Sequence, residues 1–330
     1  MDPKELPSNI GDDKISEETK KLISSLHSHI DYQGHKICKY QGCWYFYNTL
    51  QGVLNLQRGF QPQDTDIIIA SYPKSGTTWL KALTVALLER SKKHSSDDAD
   101  HPLLYDNPHC IIPFLEINMY HESSSPNLAK FSEPPRLFST HMPLHTMHET
   151  LKHSPCKIVY VCRDVKDTLI SCWFYSSAIY KIEPTRSVLE SRFEELCNGT
   201  NYLGPFWEHL LSYWRGSMED PKHVLFMRYE EMKAEPRDQI KRLADFLGCP
   251  FTKQEEDSGS VDKILDLCSL RNLSSLEVNK TGTINNVEHK FFFRKREPYK
   301  LSSKNYLTLE MENKKRHDHP RKIARLWFEI

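Results

Sequence analysis

The sequence predicts an α/β protein of one domain, with a mostly parallel sheet flanked by helices. Three observations predict it. Thr65–Ser71 is a continuous run rich in β-branched residues, the pattern of a strand buried on both faces. A short loop, Tyr72-Pro-Lys-Ser-Gly76, leads from it into a segment whose Leu80, Leu83, Thr84, Leu87 and Leu88 share one side of a helix. Strand-like runs then alternate with helical periodicities, and no repeat or linker interrupts them. Alternation of this kind implies parallel strands joined by helices that cover both faces.

Each element follows in chain order. Residues 1–30 are polar, with a short helix predicted over Ser16–Leu26 from a partial stripe of Ile15, Leu22, Ile23 and Leu26. After the first strand, the helix spans about Thr77–Arg90. Lys92–Asp100 and Glu122–Asn127 carry loop composition. Two further strands are expected at Arg136–Thr140 and Lys157–Cys162, the second leading into a helix around Val165–Tyr175. Val224–Met227 reads as a fourth strand. Pro236 then opens a helix with Ile240, Leu243, Ala244 and Leu247 on one face, and Gly248 ends it. The chain divides into the polar segment 1–30, one domain over 31–310 and a basic tail over 311–330.

Composition narrows the function. The 330 residues are 38% hydrophobic and 27% charged, which is ordinary for a globular protein. Lys plus Arg and Asp plus Glu both number 44, so net charge offers nothing to a nucleic acid or an anionic membrane. A local basic pocket stays open. No apolar run approaches the roughly twenty residues of a membrane span, and the N-terminus lacks a secretory apolar core. Nine cysteines, none in a C-x-x-C pair and several within apolar strands, fit buried thiols in a reducing compartment. A cytoplasmic protein is expected.

Three segments can carry chemistry. Lys74-Ser75-Gly76-Thr77-Thr78-Trp79 lies between a buried strand and a helix start, where backbone N–H groups and the helix dipole bind anions. Gly76 permits close backbone approach, Lys74 supplies charge, and the two threonines supply hydroxyls. The alternative is a capped helix after a turn. The Lys precedes the Gly and no first Gly is present, so this is not the G-x-x-x-x-G-K-[ST] loop of nucleotide hydrolases. Arg163 ends the 157–162 strand, where ligands collect in open α/β sheets, and Ser171 follows two helical turns later. Arg163 suits bidentate phosphate binding, or it pairs with Asp164 or Asp167. His141 sits at the tip of the 136–140 strand, placed either as a general base or structurally. His145 and His148 share its spacing, but Pro143 breaks a common helix, and a zinc site is not expected.

Taken together, these segments resemble the cytosolic sulfotransferase family from about Gly42 to Thr308. Tyr72-Pro-Lys-Ser-Gly-Thr-Thr-Trp79 is similar to its 5'-phosphosulfate loop, and Cys162-Arg163 through Ser171 to its 3'-phosphate site. Phe226-Met-Arg-Tyr229-Glu-Glu-Met232 resembles a segment whose Tyr contacts adenosine. Gly204-Pro-Phe-Trp207 and Leu267-Cys-Ser-Leu270 are most similar to the plant branch. The resemblance implies a P-loop-like, nucleoside-kinase-like fold and transfer of a sulfuryl group from 3'-phosphoadenosine-5'-phosphosulfate (PAPS) to a hydroxyl, without metal. It implies His141 and Lys74 as catalytic, and Lys74–Trp79, Arg163, Ser171, Tyr229, Arg294, Lys295 and Arg296 as donor-binding. The acceptor would be a flavonol- or brassinosteroid-like metabolite, its pocket drawn from Trp44, Tyr45, Phe46, Phe114, Tyr120, Phe174 and Tyr175. Weak homodimerisation occurs in the family. One departure stands out: Arg294-Lys295 is followed by Arg296-Glu297-Pro298 where the family has glycine and then Gly-Asp-Trp, and the basic tail also diverges. A catalytically weakened binding protein is therefore the alternative.

Overall fold

The computed structural model describes residues 6–92, 100–131, 133–152, 154, 156–293 and 306–307. Helix α1 (Glu17–Ile23) begins at Ser16, whose side chain accepts the Thr19 N–H. An antiparallel sheet of β1 (Ser28–Ile30), β2 (Lys36–Tyr40) and β3 (Cys43–Phe46) follows, then α2 (Tyr47–Gly59). The central sheet uses β4 (Ile67–Ser71), β5 (Leu137–Thr140), β6 (Lys157–Cys162) and β7 (Val224–Arg228), all parallel, in the order β5-β4-β6-β7. Between them run α3 (Thr77–Lys92), α4 (Pro108–Ile111), α5 (Leu144–Leu151), α6 (Val165–Ile179), α7 (Arg186–Asn198) and α8 (Phe206–Glu219). After β7 come α9 (Tyr229–Ala234), α10 (Pro236–Leu247), α11 (Lys253–Asp257), α12 (Ser260–Leu267), α13 (Leu270–Ser275) and α14 (Glu277–Thr281). A two-stranded ribbon, β8 (Thr283–Ile284) with β9 (Val287–Glu288), precedes a 3₁₀ turn at His289–Phe292.

All five residues of β4 are buried, and they divide between two cores. Ile68 and Ala70 pack with Phe138, Tyr160 and Phe226 beneath α2 and α8. Ile67 and Ile69 pack with Val159, Val161 and Leu225 beneath α3, α10 and α12. Alternation along a strand therefore feeds both faces, the outcome the unbroken apolar run predicts. α6 starts where Asp164 accepts the Lys166 and Asp167 N–H groups at 2.8 and 3.1 Å. α10 starts at Pro236 and stops at Gly248, whose φ of +84° a side chain would disfavour.

Strand order positions the site. The connection from β4 leads to β5 on one side, whereas β6 lies on the other side of β4 and leads away to β7. The chains leaving β4 and β6 therefore diverge at their C-terminal ends, which opens the crevice in which open α/β sheets bind ligands. The Leu144 start of α5, directly after Pro143, leaves His141 outside any helix. All nine cysteines are unpaired, and none is exposed. Among the described residues no helix is long and apolar enough to cross a membrane.

At the opposite end of the sheet, Arg136 holds Asp66 in a two-pronged contact, Nε to Oδ1 at 2.7 Å and Nη2 to Oδ2 at 2.5 Å. Both are buried, and Arg136 also donates to the Gln61 carbonyl at 3.0 Å. Asp66→Ala would leave a buried guanidinium without its partner, so chemical unfolding should show a loss of about 3–5 kcal/mol.

Candidate active site

The loop after β4 is held by backbone geometry rather than by regular structure. Lys74 takes φ +67° and Gly76 φ +115°. The Ser75 N–H closes onto the Tyr72 carbonyl at 3.2 Å. Ser75 is fully buried, and its Oγ has no hydrogen-bond partner among the described residues. The Thr77 and Ser71 hydroxyls meet at 2.5 Å. The N-terminal amides of α3, which no helical carbonyl can satisfy, face the crevice with a positive dipole end.

Across the crevice, Arg163 follows β6. One of its nitrogens donates to the Lys74 carbonyl at 3.4 Å and another to Asp167 at 3.1 Å. Its Nε is buried without a partner among the described residues. The Asp167 pairing expected as an alternative does form, and it leaves donors over. The guanidinium lies 4.9 Å from the centre of the Tyr229 ring, and that ring stands edge-on to Trp79 at 5.8 Å. A Cβ on Gly76 would come within 2.7 Å of the same Tyr229 ring. Loop, arginine and aromatic pair thus interlock.

His141 sits just beyond β5. Its Nδ1 lies 2.7 Å from the Ser71 carbonyl, which can only accept, so Nδ1 carries the ring proton and Nε2 carries the lone pair. Its backbone N–H donates to the buried Glu116 at 2.8 Å, and the Phe114 ring lies 4.3 Å from the imidazole. Burial pushes His141 down to about 3; the Ser71 hydrogen bond opposes this, and the nearby Lys81, His209 and Lys74 charges add to it. The imidazole is therefore neutral at physiological pH. Behind it, His209 Nε2 donates to the His141 carbonyl at 2.9 Å, and the Tyr160 hydroxyl meets His209 Nδ1 at 3.1 Å.

One cavity of about 850 Å³ joins these parts, within the usual range for a small-molecule site. Lys74, Gly76, Thr77, Thr78, Trp79, His141, Arg163, Ser171 and Tyr229 all line it, whereas Ser75 is buried behind the loop. The Lys74 ammonium lies 3.9 Å from the Tyr175 ring centre. Phe46, Phe114, Phe174 and Tyr175 also line the cavity, while Trp44, Tyr45 and Tyr120 are buried in the cores instead. Arg294, Lys295 and Arg296 lie outside the described residues, as does the 311–330 tail.

Two buried residues, His109 on the cavity wall and Lys81 behind it, escape the sequence reading. Lys81 is fully buried in α3, with Nζ 2.8 Å from the Ile112 carbonyl and 3.1 Å from His109 Nδ1. His109 Nε2 in turn lies 2.8 Å from the Thr78 hydroxyl. A proton given by Lys81 to Nδ1 leaves the His109 proton on Nε2 for Thr78, whose own hydroxyl hydrogen then points elsewhere. Burial pushes both Lys81 and His109 well below their usual ranges. The available signal was a lysine inside the apolar run Leu80–Leu88. His109 gave none, because its segment reads only as an Asn-Pro turn.

Residues 64–325 match a sequence-family model described as "Sulfotransferase domain". The chain is 63% identical over 307 residues to Cytosolic sulfotransferase 5 of Arabidopsis thaliana, covering 93% of this chain and 94% of the relative. A crystal structure of an Arabidopsis thaliana sulphotransferase is similar with TM-score 0.72 and 36% identity, over 96% of both chains. A mouse sulfotransferase, SULT7A1, crystallised with PAP, shares the fold with TM-score 0.62 at 24% identity, over 87% of this chain and 95% of that one.

The interlocked loop leaves no room for substitution at Gly76. Gly76→Ala combines a strained φ with displacement of Tyr229, so titration calorimetry with adenosine 3',5'-bisphosphate (PAP) should show at least tenfold weaker binding than wild type.

Proposed function

The chain belongs to the plant cytosolic sulfotransferase family, and from that premise we propose that it moves the sulfuryl group of PAPS onto a hydroxyl of a small aromatic or steroidal metabolite, with His141 as general base. One observation carries this reading above the rest: the Ser71 carbonyl commits Nδ1 of His141 and leaves Nε2 as a neutral proton acceptor inside the cavity that the Lys74 loop also lines.

The step is an in-line displacement at sulfur, in which positioning and charge stabilisation do most of the catalysis, as in phosphoryl transfer. The acceptor oxygen forms a bond to sulfur as its proton passes to Nε2. The bond from sulfur to the bridging phosphate oxygen breaks, and PAP leaves with that electron pair. Lys74 and the amides at the start of α3 stabilise the charge that builds on the departing oxygen. Ser75 Oγ and Arg163 Nε are buried polar atoms without partners among the described residues, which supports a phosphate- and sulfate-bearing donor here. Arg163 and Ser171 are assigned to its 3'-phosphate, and Trp79 and Tyr229 to its adenine. The aromatic lining at Phe46, Phe114 and Phe174 supports a flat hydroxylated acceptor of the flavonol or brassinosteroid kind.

His141→Ala should lower kcat by about 10²–10⁴-fold while PAP still binds; retained turnover would remove the base assignment. Protonation of Nε2 abolishes its role, and burial depresses that protonation to about pH 3. The plot of kcat/KM against pH should therefore stay level from pH 8 to below pH 6, with no acid limb near the ordinary histidine value. Arg163→Ala should weaken PAP at least tenfold by calorimetry without added metal, and unchanged affinity would exclude it from the nucleotide site.

A further inference from the structure

Beyond Lys74 and Arg163, the cavity wall holds a further cation on α7. Arg192 of α7 lines the cavity and spends one terminal nitrogen on two hydroxyls, donating to Ser176 Oγ at 2.9 Å and to the Tyr32 phenol. Its guanidinium carbon stands 5.1 Å from the Tyr32 ring centre. No carboxylate of the described residues is within ion-pairing distance of it. The nearest candidates are already committed. Glu195, one turn along α7, accepts the Tyr32 N–H at 2.5 Å, and burial pushes it up to about 7, so it supplies only part of a charge. Asp31 accepts the Gln33 and His35 N–H groups at 2.9 and 2.8 Å. Arginine has five N–H donors and does not shed its proton. The side chain lines the cavity, and its polar neighbours Ser176, Tyr32 and the Cys172 thiol are neutral groups that do not balance its charge. A partly buried cation on a cavity wall favours a ligand that brings the counter-charge.

We propose that the preferred acceptor carries an oxyanion, a carboxylate or sulfate, which Arg192 binds while the acceptor hydroxyl is presented to His141. This rests on the acceptor reading given above and specifies its chemical class. A planar guanidinium suits a carboxylate or sulfate because two parallel N–H···O bonds can form. The surrounding Tyr32, Tyr180 and Tyr202 add hydroxyl donors beside an apolar wall, which accommodates a ring system with one acidic substituent. Lys74 and Arg163 remain assigned to the donor.

Initial rates at saturating PAPS would test this with two matched pairs: a flavonol against its monosulfate, and a hydroxycinnamic acid against its methyl ester. The charged member of at least one pair should show at least tenfold higher kcat/KM, mainly through KM, and which pair does so identifies the oxyanion. In Arg192→Gln that ratio should fall to within about threefold, and Arg192→Lys should restore part of it. Preference for the neutral member of both pairs overturns the inference, as does an unchanged ratio in Arg192→Gln. Equal losses for both members in Arg192→Gln, unrestored by Arg192→Lys, would make Arg192 a scaffold residue and overturn it too. Competition of the charged acceptor against PAPS would assign its oxyanion to the donor site, with the same consequence. Absence of turnover for all four compounds, with PAP still bound, removes the broader acceptor reading and this inference with it.

Discussion

Everything at the site hangs from the parallel pairing of β4 with its two neighbours. Ala70 aligns with Thr140 on β5, and Ser71 aligns with Val161 on β6. That register brings the ends of three strands to one level. The Lys74 loop, His141 and Arg163 therefore emerge side by side from segments nearly a hundred residues apart. Hydrogen bonding across this level finishes the job: Ser71 holds the imidazole through its carbonyl, and Arg163 reaches back to the carbonyl of Lys74. A one-residue slip would turn every side chain of β4 to the wrong core, and the apolar demands of both faces prevent it.

The electrostatics follow from what the cavity excludes. Lys74, Arg163 and Arg192 line it, and Lys81 is buried in α3 nearby. Among the acids around them, Asp167 is tied to Arg163, and Glu116 is spent on Thr140 and the His141 backbone. Low-dielectric walls strengthen the field of the remaining positive charge. Burial holds the imidazole neutral and by itself opposes any bare charge, so it is the lining cations that would favour an anion, and a neutral imidazole and cationic side chains share one space.

Polar groups elsewhere show the contrast between a scaffold and a site. Arg136 and Asp66 satisfy each other at the far end of the sheet, where nothing is left over to bind. Tyr213 donates to the Met142 carbonyl at 2.6 Å, and Leu144 N–H to Ser212 at 3.0 Å, fastening α8 to the segment after His141. At the cavity, by contrast, Ser75 Oγ and Arg163 Nε have no hydrogen-bond partner among the described residues. Incomplete pairing is expensive in a core, and these two atoms lie beside a space that a ligand can fill.

Local pattern decided the strands and helices that surround β4. The β6 boundaries expected from sequence coincide with the structure at Lys157–Cys162, and Thr77 does begin α3, because unbroken apolar runs and caps are properties of neighbouring residues. The loop motif, Arg163, Ser171, Tyr229 and His141 were legible for the same reason: each belongs to a short segment whose wording is specific. The antiparallel sheet over residues 28–46 was not, since its strands are short and their burial comes from Tyr202, Leu203 and other distant partners. His109 and Arg192 carried no signal, and Lys81 only that of a lysine inside an apolar run. A lysine in a helix, a histidine in a turn and an arginine on an amphipathic face look ordinary until packing removes water from them. Sequence alone determined the fold class and singled out the short segments that line the cavity, which depend on neighbours along the chain. Only tertiary structure decided the tautomer of His141 and which charges face the cavity, because both depend on groups that the sequence holds far apart.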